Sequence, residues 1–277
     1  MSAEESLREG RLEEALTQLQ EQVRKEPASS KYRIFLFQLL AVMGQWQRAM
    51  TQLGVLADMD KGALAMVQTY REALRCEVLR GEVFAGKRMP LLFGEPEGWV
   101  ALMLEALRLT GDGHYAQSQS VRGQAFEAAP ATSGTLDGQR FEWIADGDSR
   151  LGPLLEVIVN GKYYWVPFSR IQRIALEAPS DLRDVVWAPA HLTWANGGES
   201  PALIPTRYPG SENSPDRAIC LARKTEWTSP EGGIYLGLGQ RMLATDAGEY
   251  PLLEVREVTL DTVAGPSSAP GAGAASG

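Results

Sequence analysis

One ten-residue stretch of this chain occurs twice. Gly10-Arg-Leu-Glu-Glu-Ala-Leu-Thr-Gln-Leu19 returns 34 residues later as Gly44-Gln-Trp-Gln-Arg-Ala-Met-Thr-Gln-Leu53, with five of ten positions identical. This is the period of tetratricopeptide arrays, in which helical hairpins stack to bury a continuous core. Gly10 and Gly44 suit the turn inside each hairpin, where a missing Cβ allows positive φ, and Ala15 and Ala49 suit the closest helix crossing. Leu12/Trp46, Leu16/Met50 and Leu19/Leu53 recur at helical spacing, and Pro27 ends the first unit. This end of the chain is therefore expected to be a scaffold that binds another protein.

The helical reading continues to about residue 128. Residues 62–80 place Leu64, Val67, Tyr70, Ala73 and Leu74 on one side. Residues 90–96 read as an ordered connector, and helices are expected at 97–109 and 114–128, separated by the turn Gly111-Asp-Gly113. After Pro130 the composition changes to β-branched and aromatic residues with frequent Pro and Gly. Asn160-Gly161 between strand-forming flanks predicts a type I′ hairpin over 154–168. Further short strands are expected at 140–144, 171–177, 184–187, 191–194, 202–205, 218–223, 227, 235–238, 241–246 and 249–258. The expected fold class is α+β: a tetratricopeptide-like α-helical array followed by a mostly antiparallel β barrel or sandwich. The expected division is a helical domain over 1–131, a linker over 132–138, a β-rich domain over 139–260 and a disordered Gly/Ala/Pro/Ser tail over 261–277.

Charge and composition narrow the function. A formal net charge of −8 argues against phosphate-backbone binding, and Arg170/Arg173, Lys87/Arg88 and Arg223/Lys224 read as ordinary solvated surface. No apolar run reaches the roughly 18 residues that cross a bilayer. The acidic start Met1-Ser-Ala-Glu-Glu-Ser shows no secretory signal, so a cytoplasmic protein is expected. Cys76 and Cys220 fall in different halves, which fits a reducing compartment.

Chemistry-bearing motifs are scarce. Two histidines and two distant cysteines give no zinc spacing, and neither a cofactor nor a metal is expected, although a carboxylate-only metal site stays open. Asp146-Gly-Asp148 reads as a solvated hairpin tip rather than a metal-binding turn. Gly232-Gly-Ile-Tyr-Leu-Gly237-Leu-Gly239 reads as a bulge or close strand packing. His191 reads as structural, because no nucleophile or orienting acid can be placed beside it. Asp146, Asp148, Glu156 and His191 are the acid/base set an enzyme would have to use, and no catalytic residue is assigned. Trp187 and Trp194 are expected in the β core, whereas Arg207 and Tyr208 read as surface candidates for contact with a partner.

Several of these elements together resemble the ImpE family, also called SciE or TagJ, of type VI secretion accessory proteins. The resemblance rests on the Gly10/Ala15 and Gly44/Ala49 units, Arg80-Gly-Glu-Val-Phe-Ala-Gly86 with Pro90, the run from Asp181-Leu182 through Trp187 and Pro201, and Ile204-Pro-Thr-Arg-Tyr-Pro-Gly-Ser211. It extends over about residues 1–260. It implies a cytoplasmic, non-enzymatic adaptor that binds the N-terminal helix of the small sheath subunit and connects with the ClpV disassembly ATPase. It carries over no catalytic residues and fixes no contact positions.

A partner helix can lie in a groove of stacked helices, gaining apolar contact at i, i+3, i+4 and i+7. In a tetratricopeptide array the first helix of each pair lines the concave face, which selects Lys31, Ile34, Gln38, Ala41 and Val42. A general co-chaperone or scaffold outside secretion would share that fold and remains the alternative.

Overall fold

The computed structural model describes residues 2–230 and 233–262. Its first part is helical: α1 Ala3–Arg8, α2 Leu12–Lys25, α3 Ser30–Val42, α4 Trp46–Met59 and α5 Leu64–Phe84 pack each against the next. The repeat is realised as the sequence spacing predicts. Gly10 and Gly44 turn the chain at φ 78° and 66°, and Leu12, Ala15, Leu19, Ala49 and Leu53 are fully buried. Helix α2 opens with Glu13 and Glu14 and closes with Arg24 and Lys25, charges that complement its dipole. After α5 come strand β1 Leu91–Leu92 and the helical pair α6 Gly98–Gly111 and α7 Tyr115–Ala128.

The second part is strand-rich: β2 Gly134–Leu136, β3 Gln139–Phe141, β4 Ile144–Asp146, β5 Leu154–Val159, β6 Lys162–Pro167, β7 Ile171–Leu176, β8 Trp187–Trp194 and β9 Glu199–Pro205. Then follow a short helix α8 Arg217–Cys220 and strands β10 Thr225–Thr228, β11 Leu236–Gly239, β12 Met242–Thr245, β13 Gly248–Pro251 and β14 Glu257–Leu260. Nine strands form one mixed sheet in the order β1-β6-β5-β9-β8-β7-β14-β2-β3, antiparallel except for the β1–β6 pair. The order ends at β1 and β3 without closing, so the fold is α+β with a mixed sheet and not a closed barrel. A three-stranded sheet β13-β12-β4 and the pair β10-β11 complete it.

The β5–β6 hairpin forms as read, with Asn160 at φ 49° and Gly161 at φ 71°. Two strand expectations fail for one physical reason. At 180–185 the Asp184 carboxylate accepts the Ser180 and Asp181 N–H groups, and at 216–220 Asp216 accepts the Ala218 N–H. Side-chain caps of this kind favour helical turns over a strand ladder. Leu182–Val185 is accordingly a 3-10 turn, and α8 replaces the strand expected at 218–223. The stretch read as a linker supplies β2, and Asp261, assigned to the tail, donates its N–H to the Ser133 carbonyl at 2.9 Å. Residues 263–277, for which disorder is expected, lie outside the described residues.

Two apolar cores result. One draws its buried residues from the strand-rich part, with Phe93 packed against it, and joins the large sheet to the three-stranded sheet through residues such as Ile144, Val157, Ile174, Leu192, Leu243 and Val258. The other runs across both parts, merging helices α2 to α6 with Leu154, Tyr163, Trp165, Trp187, Leu203 and Leu221. Strand β1, from the helical part, adds to the same union by pairing with β6.

Candidate functional site

The concave face expected to receive a partner is already filled. The 3-10 turn at Leu182–Val185 packs on α3, and the Trp187 ring sits 5.6 Å from Tyr70 and 6.4 Å from Trp46. The Arg183 guanidinium lies 4.8 Å over the Tyr70 ring. Burial pushes the Tyr70 hydroxyl up to about 12. Of the residues selected for the groove, Lys31 is exposed and Ile34 half-buried, while Gln38, Ala41 and Val42 are buried. The last three cannot touch a separate protein in this structure, because the strand-rich part has taken that face. The repeat predicts which helix lines the groove, but not that the chain supplies its own occupant.

Arg207 and Tyr208 also require correction as surface contacts, since they are 4% and 0% exposed. Arg207 Nη1 donates to the Val42 carbonyl at 2.8 Å, in the last turn of α3, and also to the Cys220 carbonyl. Carbonyls at a helix C-terminus lack intrahelical partners and attract a cation. Burial holds the Arg207 guanidinium below its usual range. The neighbouring segment docks on both repeat turns: a Cβ at Gly44 would stand 2.4 Å from Glu212 Cγ, one at Gly10 would stand 3.6 Å from Arg217 Cβ, and Arg217 pairs with Glu13. Ile204–Ser211, the most specific part of the family resemblance, is thus an internal fastening.

Beside it runs a buried charge network. Arg80 of α5 binds both oxygens of Glu156 at 2.8 and 2.7 Å, the Arg207 carbonyl at 2.6 Å and Glu77 at 3.3 Å. Arg241 pairs with Glu156 and with Asp146 and donates to the Pro205 carbonyl at 2.8 Å. Tyr163 donates to Glu156 at 2.5 Å, Trp187 Nε1 donates to Glu77 at 3.0 Å, and Tyr208 donates to Asp146 at 3.0 Å. Burial pushes the Tyr163 and Tyr208 hydroxyls up and the Arg241 guanidinium down; it also raises Asp146, against the pull of Arg241.

Asp146 and Asp148 are therefore not a solvated tip: both are buried, with Asp148 paired to Arg150 at 2.6 Å and accepting the Gly237 N–H at 2.7 Å. His191 is exposed on β8 and registers with Ala175 and Pro201, so the four residues of the hypothetical acid/base set do not converge. One signal for the network is present in the sequence. Glu77 and Arg80 continue the stripe of Tyr70, Ala73 and Leu74 on α5, so they are charged residues on a core-facing line.

Among the described residues, two concavities stand open to solvent. A hollow of about 600 Å3 lies between α4 and α5, with Trp46, Met50, Leu74 and Val78 as its apolar lining and Arg48 and Arg75 beside them. Val78 is 54% exposed. A larger cleft of about 780 Å3 lies where α7 meets the small sheets, and Phe126, Trp143, Trp227 and Tyr235 all line it. No helix among the described residues is long and apolar enough to cross a membrane.

Comparison with known proteins bears on what these surfaces serve. The ImpE protein family profile matches residues 138–259. The chain is 54% identical over 261 residues to the type VI secretion system accessory component TagJ of Pseudomonas aeruginosa, an alignment covering 94% of this chain and 92% of that one. The crystal structure of protein VPA1032 from Vibrio parahaemolyticus shares the fold at a TM-score of 0.85 and 23% identity, over 93% of this chain and 97% of that one. The 54% identity to TagJ over nearly the whole length places the chain in the ImpE/TagJ family of type VI secretion accessory proteins.

Proposed function

We propose that this protein is a non-enzymatic, cytoplasmic adaptor of a type VI secretion machine, binding the N-terminal helix of the small sheath subunit and linking the sheath to a ClpV-type ATPase. The observation that carries the reading is the near-full-length similarity to an accessory component of such a system. The open hollow between α4 and α5 supports it: a helical ligand could lay one apolar face against Trp46, Met50 and Val78. This hollow takes the place of the filled concave face as the proposed contact. The commitment of Asp146, Asp148 and Glu156 to internal arginines favours binding over acid/base chemistry.

The test is titration of the full chain with a labelled peptide spanning that N-terminal helix. Because the core shared by the helical and strand-rich parts draws side chains from both, truncation at the helical boundary would expose it and confuse the result. Saturable micromolar binding that Val78→Glu weakens about tenfold supports the reading, since a charged carboxylate must be desolvated where an apolar side chain made the contact. No saturable binding to the full chain contradicts it. Capture of the ATPase on sheath-coated beads, dependent on added adaptor, tests the link.

A further inference from the structure

The cleft at the junction of α7 and the small sheets has no part in the adaptor reading above. Phe126, Trp143, Trp227 and Tyr235 are 43%, 41%, 38% and 56% exposed, and they converge on this one concavity. Exposed aromatic rings gathered in a cleft of about 780 Å3 mark a contact site, because scattered surface aromatics do not share a cavity. The rings are held from behind. The Trp227 ring lies tilted against the buried Tyr208, 5.5 Å between centroids, and Tyr208 is bonded to Asp146 and to the Met242 backbone. Strand β4 carries the Trp143 flank of the cleft and pairs with β12, and the Tyr235 N–H is fixed by Ser149 Oγ at 2.9 Å. The aromatic array is therefore preformed.

Its charge selects the occupant. Among the described residues no Lys or Arg lines the cleft; its charged members are Glu249 and Asp146, and Asp146 is already spent on Arg241. Each of three lining rings has an exposed glutamate beside it in sequence: Glu127 after Phe126, Glu142 before Trp143 and Glu226 before Trp227. The nearby Lys224 ammonium is neutralised by both Asp216 and Glu226. Cations are attracted here twice over, through the exposed Glu249 carboxylate and through the negative ring faces.

The geometry points to a second docking site, in which this aromatic cleft takes a partner-protein segment that carries arginine or lysine between apolar side chains. The apolar residues fill the cavity, and the cations lie over the rings and against Glu249.

Fluorescence anisotropy with the full chain tests it, using short labelled peptides that alternate leucine with arginine, glutamate or serine, alongside a proline-rich neutral peptide. The arginine peptide is expected to bind at least about tenfold tighter than the others, to shift tryptophan emission and to weaken with added salt. Glu249→Lys and Tyr235→Ser, both at exposed positions, should each weaken it several-fold without changing the melting temperature. Equal binding of the serine or proline-rich peptide, preference for the glutamate peptide, no binding by any of them, or indifference to both substitutions would overturn the assignment. Val78→Glu, in the separate hollow, should leave arginine-peptide binding unchanged.

Discussion

The two faces of the helical array differ in who occupies them. The inner face, along α3 and α5, is covered by the chain's own 181–187 and 206–220 segments and stitched with Arg80, Glu77, Glu156 and Arg207. Among the described residues, the hollow between α4 and α5 is lined by Trp46, Met50, Leu74 and Val78 together with Arg48 and Arg75, and it is open. A repeat array thus advertises a binding face in its sequence, yet the chain can spend that face on itself. Burial of a polar network there constrains how the parts meet, because guanidinium and carboxylate groups are satisfied in one arrangement only.

The contrast predicts unequal responses to substitution. The largest effect is expected from Glu156→Ala, which leaves two buried guanidiniums without their shared carboxylate and should cost about 3–5 kcal/mol in denaturant unfolding. Retention of wild-type stability would show that the network contributes little. Arg207→Ala comes next, at about 2–3 kcal/mol, because the Val42 and Cys220 carbonyls lose a charged donor. Gly44→Ala should cost about 1–2 kcal/mol, since φ is positive and the new Cβ meets Glu212. On the outer face, Val78→Glu should change stability by no more than about 0.5 kcal/mol while weakening the sheath peptide. A large loss of stability there would mean that the hollow is part of the folded core.

Thiol chemistry sharpens the same inner–outer distinction with the smallest perturbation. Burial pushes the Cys76 thiol up to about 12, and its Sγ lies 3.5 Å from the Gly161 carbonyl. A raised thiol value means the protonated form persists at pH 8, with about one part in ten thousand as the reactive thiolate. Native protein should therefore react with a disulfide reagent far more slowly than urea-unfolded protein. Rapid labelling of Cys76 in the native state would show that the α5–hairpin contact opens.

Local signals were legible in the sequence and long-range ones were not. Gly10, Gly44, Asn160 and Gly161 announce their turns because positive φ leaves few residue choices. The α3 and α5 helices follow from periodicity, as does the α+β division. Arg207 and Tyr208 read as partner contacts because Arg and Tyr are usual interface anchors, whereas the groups they bond, on Val42 and Asp146, lie 165 and 62 residues away in sequence. Asp146-Gly-Asp148 resembles a solvated turn until Arg241, 95 residues on from Asp146, closes over it. The aromatic cleft is assembled from α7, β4, β10 and the segment before β11, whose lining residues share no spacing.

Hydrogen exchange of the full chain, with and without the N-terminal helix peptide of the small sheath subunit, probes the central claim directly. The account predicts new protection at residues 46–50 and 74–78, with exchange at 36–42 and 181–187 unchanged. Protection confined to α3, or loosening of 181–187 as the peptide displaces it, would show that the concave face is the binding surface after all.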